Sequence, residues 1–389
     1  MIIKTQNYGT IAFKMRGAFV ADFYIGLMSG TSADGIDAAL VDFSQQPPRL
    51  IGTHYTPYSQ PLREKILSLC QKGDDEIQRL GELDTLLGNE FALAVNTLLK
   101  QQSLSASAIK AIGSHGQTIR HYPHQPHGFS LQIGDPNTIA ANTGITTVAD
   151  FRRKDIAFGG QGAPLVPAFH QQIFSSTDQD RVVVNIGGIA NVTLLPKATS
   201  KAIIGFDTGP GNGLMDAWIN IHQHQRHDER GAWAKQGRAE NELLKRLMSD
   251  NYFKLPPPKS TGREYFNLAW LQNYLNTMAE TIVPVDVQAT LIELTAKSII
   301  NAILPLISHG ELLICGGGAQ NHFLMQRLQE LTKSHFTVYS TENFGIDPDW
   351  VEAVAFAWLA RQTLERQPGN LPSVTGATRS TVLGGVYFS

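Results

Sequence analysis

The sequence predicts an α/β protein with a duplicated core, and three observations carry that prediction. Apolar, β-rich runs intermix with helically periodic ones along the chain. Two segments, each reading as strand, small-residue turn, strand, lie about 160 residues apart. The length of 389 residues is enough for two domains with a sizeable core. One copy of the hairpin per domain, with the cleft between them, is the expected arrangement.

The first hairpin has apolar runs at 23–27 and 38–43 around Gly30-Thr31-Ser32-Ala33-Asp34-Gly35-Ile36-Asp37. Asp34-Gly35 supplies the expected turn, because Asp tolerates the left-handed region and Gly enters it without a steric cost. A turn of small residues leaves N–H groups and hydroxyls pointing outward, where they can surround a phosphate. Helical periodicity follows at 62–70 and 84–100. A short strand at 111–114 leads into Gly113-Ser-His-Gly-Gln-Thr118, from which His115 and Gln117 are expected to project on a turn. A purely structural histidine fits this segment as well.

A strand at 146–149 precedes Asp150-Phe-Arg-Arg-Lys-Asp155, three cations between two acids. A solvated charged turn explains such a run. The glycine-rich sequel at 158–167, which holds Gln161, is too short of side chains for ordinary surface. Arginine forks fit carboxylates and phosphates, so Arg152 and Arg153 are candidates for an anionic substrate. The second hairpin pairs runs at 182–186 and 192–195 across Asn185-Ile-Gly187-Gly188.

Next comes Ile204-Gly-Phe-Asp-Thr-Gly-Pro-Gly-Asn-Gly-Leu-Met-Asp216. Glycines here allow a ligand to approach the backbone, and a carboxylate at a strand end suits a general base. Asp207 reads equally as a turn cap. The Pro-rich run 255–259 is a loop, 286–307 is helical, and a strand at 312–315 runs into Gly316-Gly317-Gly318. Three successive glycines signal either the approach of a flat ligand group or tight helix–strand packing. Helices follow at 321–331 and 350–364. The second is apolar all round and carries one acid, Glu352, near its N-terminus, where the helix dipole favours it.

Composition excludes several classes. Hydrophobic residues make up 42% and charged residues 17%, with a net charge of −2, so nothing in the balance points to nucleic acid or an anionic membrane. No apolar run approaches the ~20 residues of a spanning helix. Cys70 and Cys315 lack metal-ligand spacing and read as reduced thiols of a cytoplasmic protein. The histidine clusters His121/His124/His127 and His222/His224/His227 read as surface loops rather than metal sites. No Walker A loop, Rossmann fingerprint or His-Glu-x-x-His motif is present. The first twenty residues lack the apolar core of a signal peptide, and Met15 offers an internal start, so residues 1–21 are expected to be a flexible extension.

Taken together, the segments resemble the anhydro-N-acetylmuramic acid kinases. The resemblance rests on Gly26–Asp37, Gly113–Thr118, Asp150–Asp155 with Gly159–Pro167, Asn185–Asn191, Gly205–Asn212 with Leu214-Met-Asp216, Ser260-Thr-Gly-Arg-Glu264 and Cys315–Ala319, in the family's order. It covers nearly the whole chain from Tyr24 to Tyr387. It implies two ribonuclease-H-like (actin-like ATPase) domains around a nucleotide cleft, 22–150 plus 371–389 forming one and 151–370 the other. The implied reaction opens the 1,6-anhydro ring of anhydro-N-acetylmuramic acid and phosphorylates O6, using ATP, Mg²⁺ and water, in cell-wall recycling. Asp207 falls on the family's catalytic aspartate. ATP is expected at Gly30 to Asp37, at Asn185, Gly187 and Gly188, and at Gly316 to Gly318. The sugar is expected against His115, Gln117, Asp150, Arg152, Arg153, Gln161 and Glu352, with Arg152 or Arg153 on its lactyl carboxylate. No protein side chain is expected to ligate metal directly, Mg²⁺ arriving on ATP. A cytoplasmic homodimer without nucleic-acid or membrane partners is expected. An ordinary sugar kinase acting on a free hydroxyl, or an ATP-gated binding protein, are the competing readings.

Overall fold

The computed structural model describes residues 21–123, 126–198 and 201–389. The expected N-terminal extension therefore lies outside the described residues, apart from its last one. Among the described residues, twelve strands form two sheets. The first contains β1 (Phe23–Ser29), β2 (Gly35–Asp42), β3 (Arg49–Pro57), β4 (Ile109–Tyr122), β5 (Phe129–Ile133), β6 (Thr147–Ala149) and β12 (Gly385–Tyr387). The second contains β7 (Arg181–Ile186), β8 (Ile189–Leu195), β9 (Ile204–Pro210), β10 (Gly310–Cys315) and β11 (Phe336–Ser340).

The two sheets repeat one topology. The first runs β3-β2-β1-β4-β6, with β1, β2 and β3 antiparallel and β4 and β6 parallel to β1. The second runs β9-β8-β7-β10-β11 with the same directions. The expected pair of hairpins is thus β1–β2 and β7–β8, each at the centre of a ribonuclease-H-like sheet. β12 closes the edge of the first sheet beside β6.

The central strands are apolar on both faces because both faces are covered. Ile25 and Leu27 of β1 pack outward against the Glu76–Gln101 helix, while Tyr24 faces a core shared between the sheets. In β7, Val182 and Val184 pack against the Pro284–Ile303 helix, and Val183 faces the shared core. The Val351–Leu364 helix lies in that shared core, which explains its apolar circumference. Gly26 and Gly113 let it approach β1 and β4: a β-carbon on either would overlap the carbonyl oxygen of Ala353 or Phe356.

Two local expectations are corrected. Gly113–Thr118 does not leave a short strand for a turn. It continues β4 to Tyr122, because β1 ladders to it on one side and β5 takes residues from Gln117 onward on the other. The histidine clusters are not simply surface loops either. His121 sits in β4 and bonds Ser130 Oγ at 2.9 Å, and His222 is helical and packs on Trp218 at 4.2 Å between ring centroids. His124 lies outside the described residues.

Candidate active site between the facing sheets

The β1–β2 turn is built differently from its sequence reading. The residue with positive φ is Ala33 (φ 51°), fully buried, not Asp34 or Gly35. Gly35 already belongs to β2, where a β-carbon would come within 2.7 Å of the Tyr55 ring. Its glycine serves close strand packing rather than the turn. Gln117 lies beneath, 1% exposed: its Nε2 donates to the Gly30 carbonyl at 3.2 Å and its Oε1 accepts from Ser29 Oγ at 2.7 Å. Gln117 therefore holds the β1 arm of the turn, and Ser29 Oγ carries the link to the other arm by donating to the Gly35 carbonyl at 2.8 Å. Asp34 is exposed and pairs with Arg63 at 3.5 Å, and Arg63 also donates to the Ser32 carbonyl at 3.2 Å.

The β7–β8 turn is clamped from below. Amides at the start of the Asn212–Gln223 helix donate to its carbonyls: Asn212 to Gly187 at 2.7 Å, and Gly211 and Gly213 to Gly188 at 3.1 Å each. The three glycines after β10 divide their work. Gly316 (φ 75°) and Gly318 allow close packing on Asn185 and Ile186 of β7, where β-carbons would collide. Gly317 instead lines an open cavity of about 350 Å³ with Asn212, Asp216, Gln320 and Asp349.

A polar row crosses the second sheet toward the first. Asn185, Asn191 and Asp207 are cross-strand partners on β7, β8 and β9, so their side chains share one face. Asn185 Nδ2 donates to Glu352 Oε1 at 3.3 Å. Burial raises the Glu352 carboxyl above its ordinary value, against the opposing pull of Arg152 and Asn185. Asp37 on β2 is pushed up to about 7 by burial and then by the charges of Glu352 and Asp349. An acid of the first sheet thus faces acids from the Val351–Leu364 helix and the turn that precedes it.

Asp207 stands at the far end of this row. Its carboxylate accepts the Thr261 amide at 3.0 Å, its own amide donates to the Lys259 carbonyl at 3.0 Å, and its carbonyl accepts the Tyr252 hydroxyl at 2.7 Å. Burial pushes its carboxyl up to about 6; the Thr261 amide opposes this and Glu264 adds to it. A half-buried carboxyl poised near neutrality suits proton abstraction.

The arginine pair separates. Arg152 donates to His115 Nε2, at 2.8 Å from one terminal nitrogen, and to the Gly162 carbonyl at 2.8 Å. Burial lowers Arg152 to about 10 and His115 to about 3. The histidine is thus a neutral acceptor, 6% exposed and packed on Phe356. Arg153 is exposed, pairs with Asp150 at 2.8 Å, and lines a cavity of about 150 Å³ with Ser114, His115, Gln132 and Asp150. Gln161 is exposed, and its amide bonds the Thr375 carbonyl at 2.8 Å.

Sequence reasoning assigned no role to Asp155, a fully buried acid that binds Gly162 N, Asn370 Nδ2 and Thr375 Oγ1 at 2.6–2.8 Å. Nor did it assign one to Asn191 or to the 259–264 loop. Only long-range pairing reveals them, and no local pattern signals it. Among the described residues no group of three or more His, Cys, Asp or Glu could hold a metal ion, and no helix is long and apolar enough to cross a membrane.

The family model described as anhydro-N-acetylmuramic acid kinase matches residues 22–389. The anhydro-N-acetylmuramic acid kinase of Coxiella burnetii (strain RSA 493 / Nine Mile phase I) is 54% identical over 94% of this chain and 97% of its own. That of Saccharophagus degradans is 56% identical over 94% of this chain and 98% of its own. Among solved structures, a glucokinase from Streptomyces griseus with glucose and AMPPNP is 12% identical with a TM-score of 0.39, over 87% of this chain and 99% of that one.

Proposed function

The chain belongs to the anhydro-N-acetylmuramic acid kinase family, and on that premise we propose that Asp207 is the base that starts its reaction. The enzyme is an ATP-dependent kinase that opens the 1,6-anhydro ring and phosphorylates O6, giving N-acetylmuramic acid 6-phosphate and ADP in cell-wall recycling. The observation that carries the assignment is the grip on Asp207: one loop bonds both its backbone amide and its carboxylate, and burial pushes that carboxyl up to about 6. In the proposed step Asp207 takes a proton from water as its oxygen bonds to C1. The C1–O6 bond breaks and its electron pair stays on O6. O6 bonds to the γ-phosphorus, and the bond from that phosphorus to the bridging oxygen breaks toward ADP. Water, sugar and ATP must lie in line, so positioning dominates the rate.

The β1–β2 and β7–β8 turns would hold the ATP phosphates, with Gly317 beside the nucleoside. Bound Mg²⁺ would neutralise charge on the phosphates. Asp37 and Asp349, whose charges act on one another, would meet an ion that arrives on ATP.

For the sugar, Arg153 is the better partner for the lactyl carboxylate. Its guanidinium is accessible beside the 150 Å³ cavity, whereas that of Arg152 is spent on His115 and Gly162. Gln117 supports the phosphate turn from beneath. Lobes of 22–150 plus 371–389 and of 151–370, a cytoplasmic location and a homodimer complete the proposal. A sugar panel tests it: the anhydro sugar should be phosphorylated far faster than free N-acetylmuramic acid or glucose. Comparable rates on a free sugar would overturn the ring-opening role of Asp207.

A further inference from the structure

The Ser260-Thr-Gly-Arg-Glu264 loop carries a second group beside the one it grips. The Arg263 guanidinium lies flat on Gly188 in the β7–β8 turn: a β-carbon there would sit 2.6 Å from its Nε and 2.7 Å from a terminal nitrogen. No hydrogen bond or ion pair within 4 Å engages the Arg263 side chain among the described residues, and it is exposed. Its electrostatic partner is more distant: it pulls the Asp216 carboxyl down against the burial that raises it to about 6. Arg63, at the opposite turn, is already committed to Asp34 and to the Ser32 carbonyl. The proposed ATP segments themselves contain no Lys or Arg.

We propose that Arg263 is a catalytic residue that donates to the non-bridging oxygens of the γ-phosphoryl group as O6 displaces ADP. The proposal rests on the reading of the β7–β8 turn as a phosphate site. Charge spreads over those oxygens in the transition state, and a planar fork of donors matches them. Only Gly262 separates Arg263 from Thr261, whose amide holds the base. One loop therefore sets the proton acceptor and the phosphoryl clamp together, which suits a reaction that must couple hydrolysis to transfer. Gly188 belongs to the same device, because any side chain there would displace the guanidinium.

The test compares Arg263→Ala, Arg263→Lys and Gly188→Ala with the parent on anhydro-N-acetylmuramic acid and ATP. Arg263→Ala should lower kcat by about 10²–10³-fold, with the sugar KM within about 3-fold, as expected for a lost transition-state donor. Added guanidinium ion should restore part of the rate, and lysine should restore less than arginine. The variant should also lose the parent's preference for a non-hydrolysable ATP analogue over ADP. Gly188→Ala should repeat the defect, and combining it with Arg263→Ala should add little. An Arg263→Ala rate within about 2-fold of the parent, far below that expected loss, would overturn the proposal. So would a slow, guanidinium-insensitive variant with a lowered melting temperature, because that describes a prop for the turn. Failure of the parent itself to phosphorylate the anhydro sugar would instead overturn the reading on which the proposal rests.

Discussion

The carboxylate of Asp207 accepts the backbone N–H of Thr261 at 3.0 Å, from a loop more than fifty positions further along the chain. The contact fixes the direction of the carboxylate while burial keeps its proton affinity high. Asp207→Asn preserves the shape and the acceptor oxygen but cannot take a proton. Turnover should fall by about 10²–10⁴-fold with ATP affinity retained. The same change should not destabilise the protein. The carboxyl is raised from about 3.8 to about 6 on folding, so the folded form binds the proton more tightly than the unfolded chain. Stability is then lost as pH rises between those values and stays lower above them. Asparagine carries no such cost, and the variant should melt at the same or a higher temperature at pH 7.5.

The pH profile follows from the same group. A base with a value of about 6 is ionised above it and protonated below. On the acid side, kcat/KM should fall tenfold per pH unit below about pH 6 and level off above it. A profile flat down to pH 4.5 would assign the base elsewhere.

The two neighbouring arginines should separate in kinetics. Arg153→Ala should raise the KM for the anhydro sugar by about 10-fold or more, as expected for a lost charge-assisted fork, with kcat little changed. Arg152→Ala strips the donor from the buried His115 and the Gly162 carbonyl. It should lower the melting temperature as well as the rate, because buried acceptors lose their partner.

Gly26 offers a test of the fold itself. A β-carbon there would overlap the Ala353 carbonyl oxygen, where the Val351–Leu364 helix crosses β1. Gly26→Ala should cost about 3 kcal/mol through overpacking, visible as a lower urea midpoint. The same substitution at Gly81, which has nothing within 4 Å, should be neutral or stabilising.

The sequence made the architecture legible where the pattern is local. Strand runs bounded by glycine marked both hairpins, and the apolar circumference of the Val351–Leu364 helix announced a segment covered on all sides. It was less legible where a residue's neighbours come from elsewhere in the chain. Gly35 reads as a turn glycine, yet its constraint is the Tyr55 ring on β3, and the left-handed residue is Ala33. His115 and Gln117 read as turn residues until β5 is paired alongside them. In Asp150–Asp155 one arginine is held inward, one faces a cavity, and the last acid is fully buried. Charge patterning shows no difference among them.

The central claim is that water attacks C1 under Asp207 while O6 captures the phosphoryl group. The direct measurement is mass spectrometry of the product after brief incubation of the parent and of Asp207→Asn with anhydro-N-acetylmuramic acid, ATP, Mg²⁺ and ¹⁸O-labelled water. The account predicts one ¹⁸O at the anomeric hydroxyl and phosphate on O6 from the parent, and almost no product from the variant. Phosphorylated product without label, or equal product from Asp207→Asn, would contradict it.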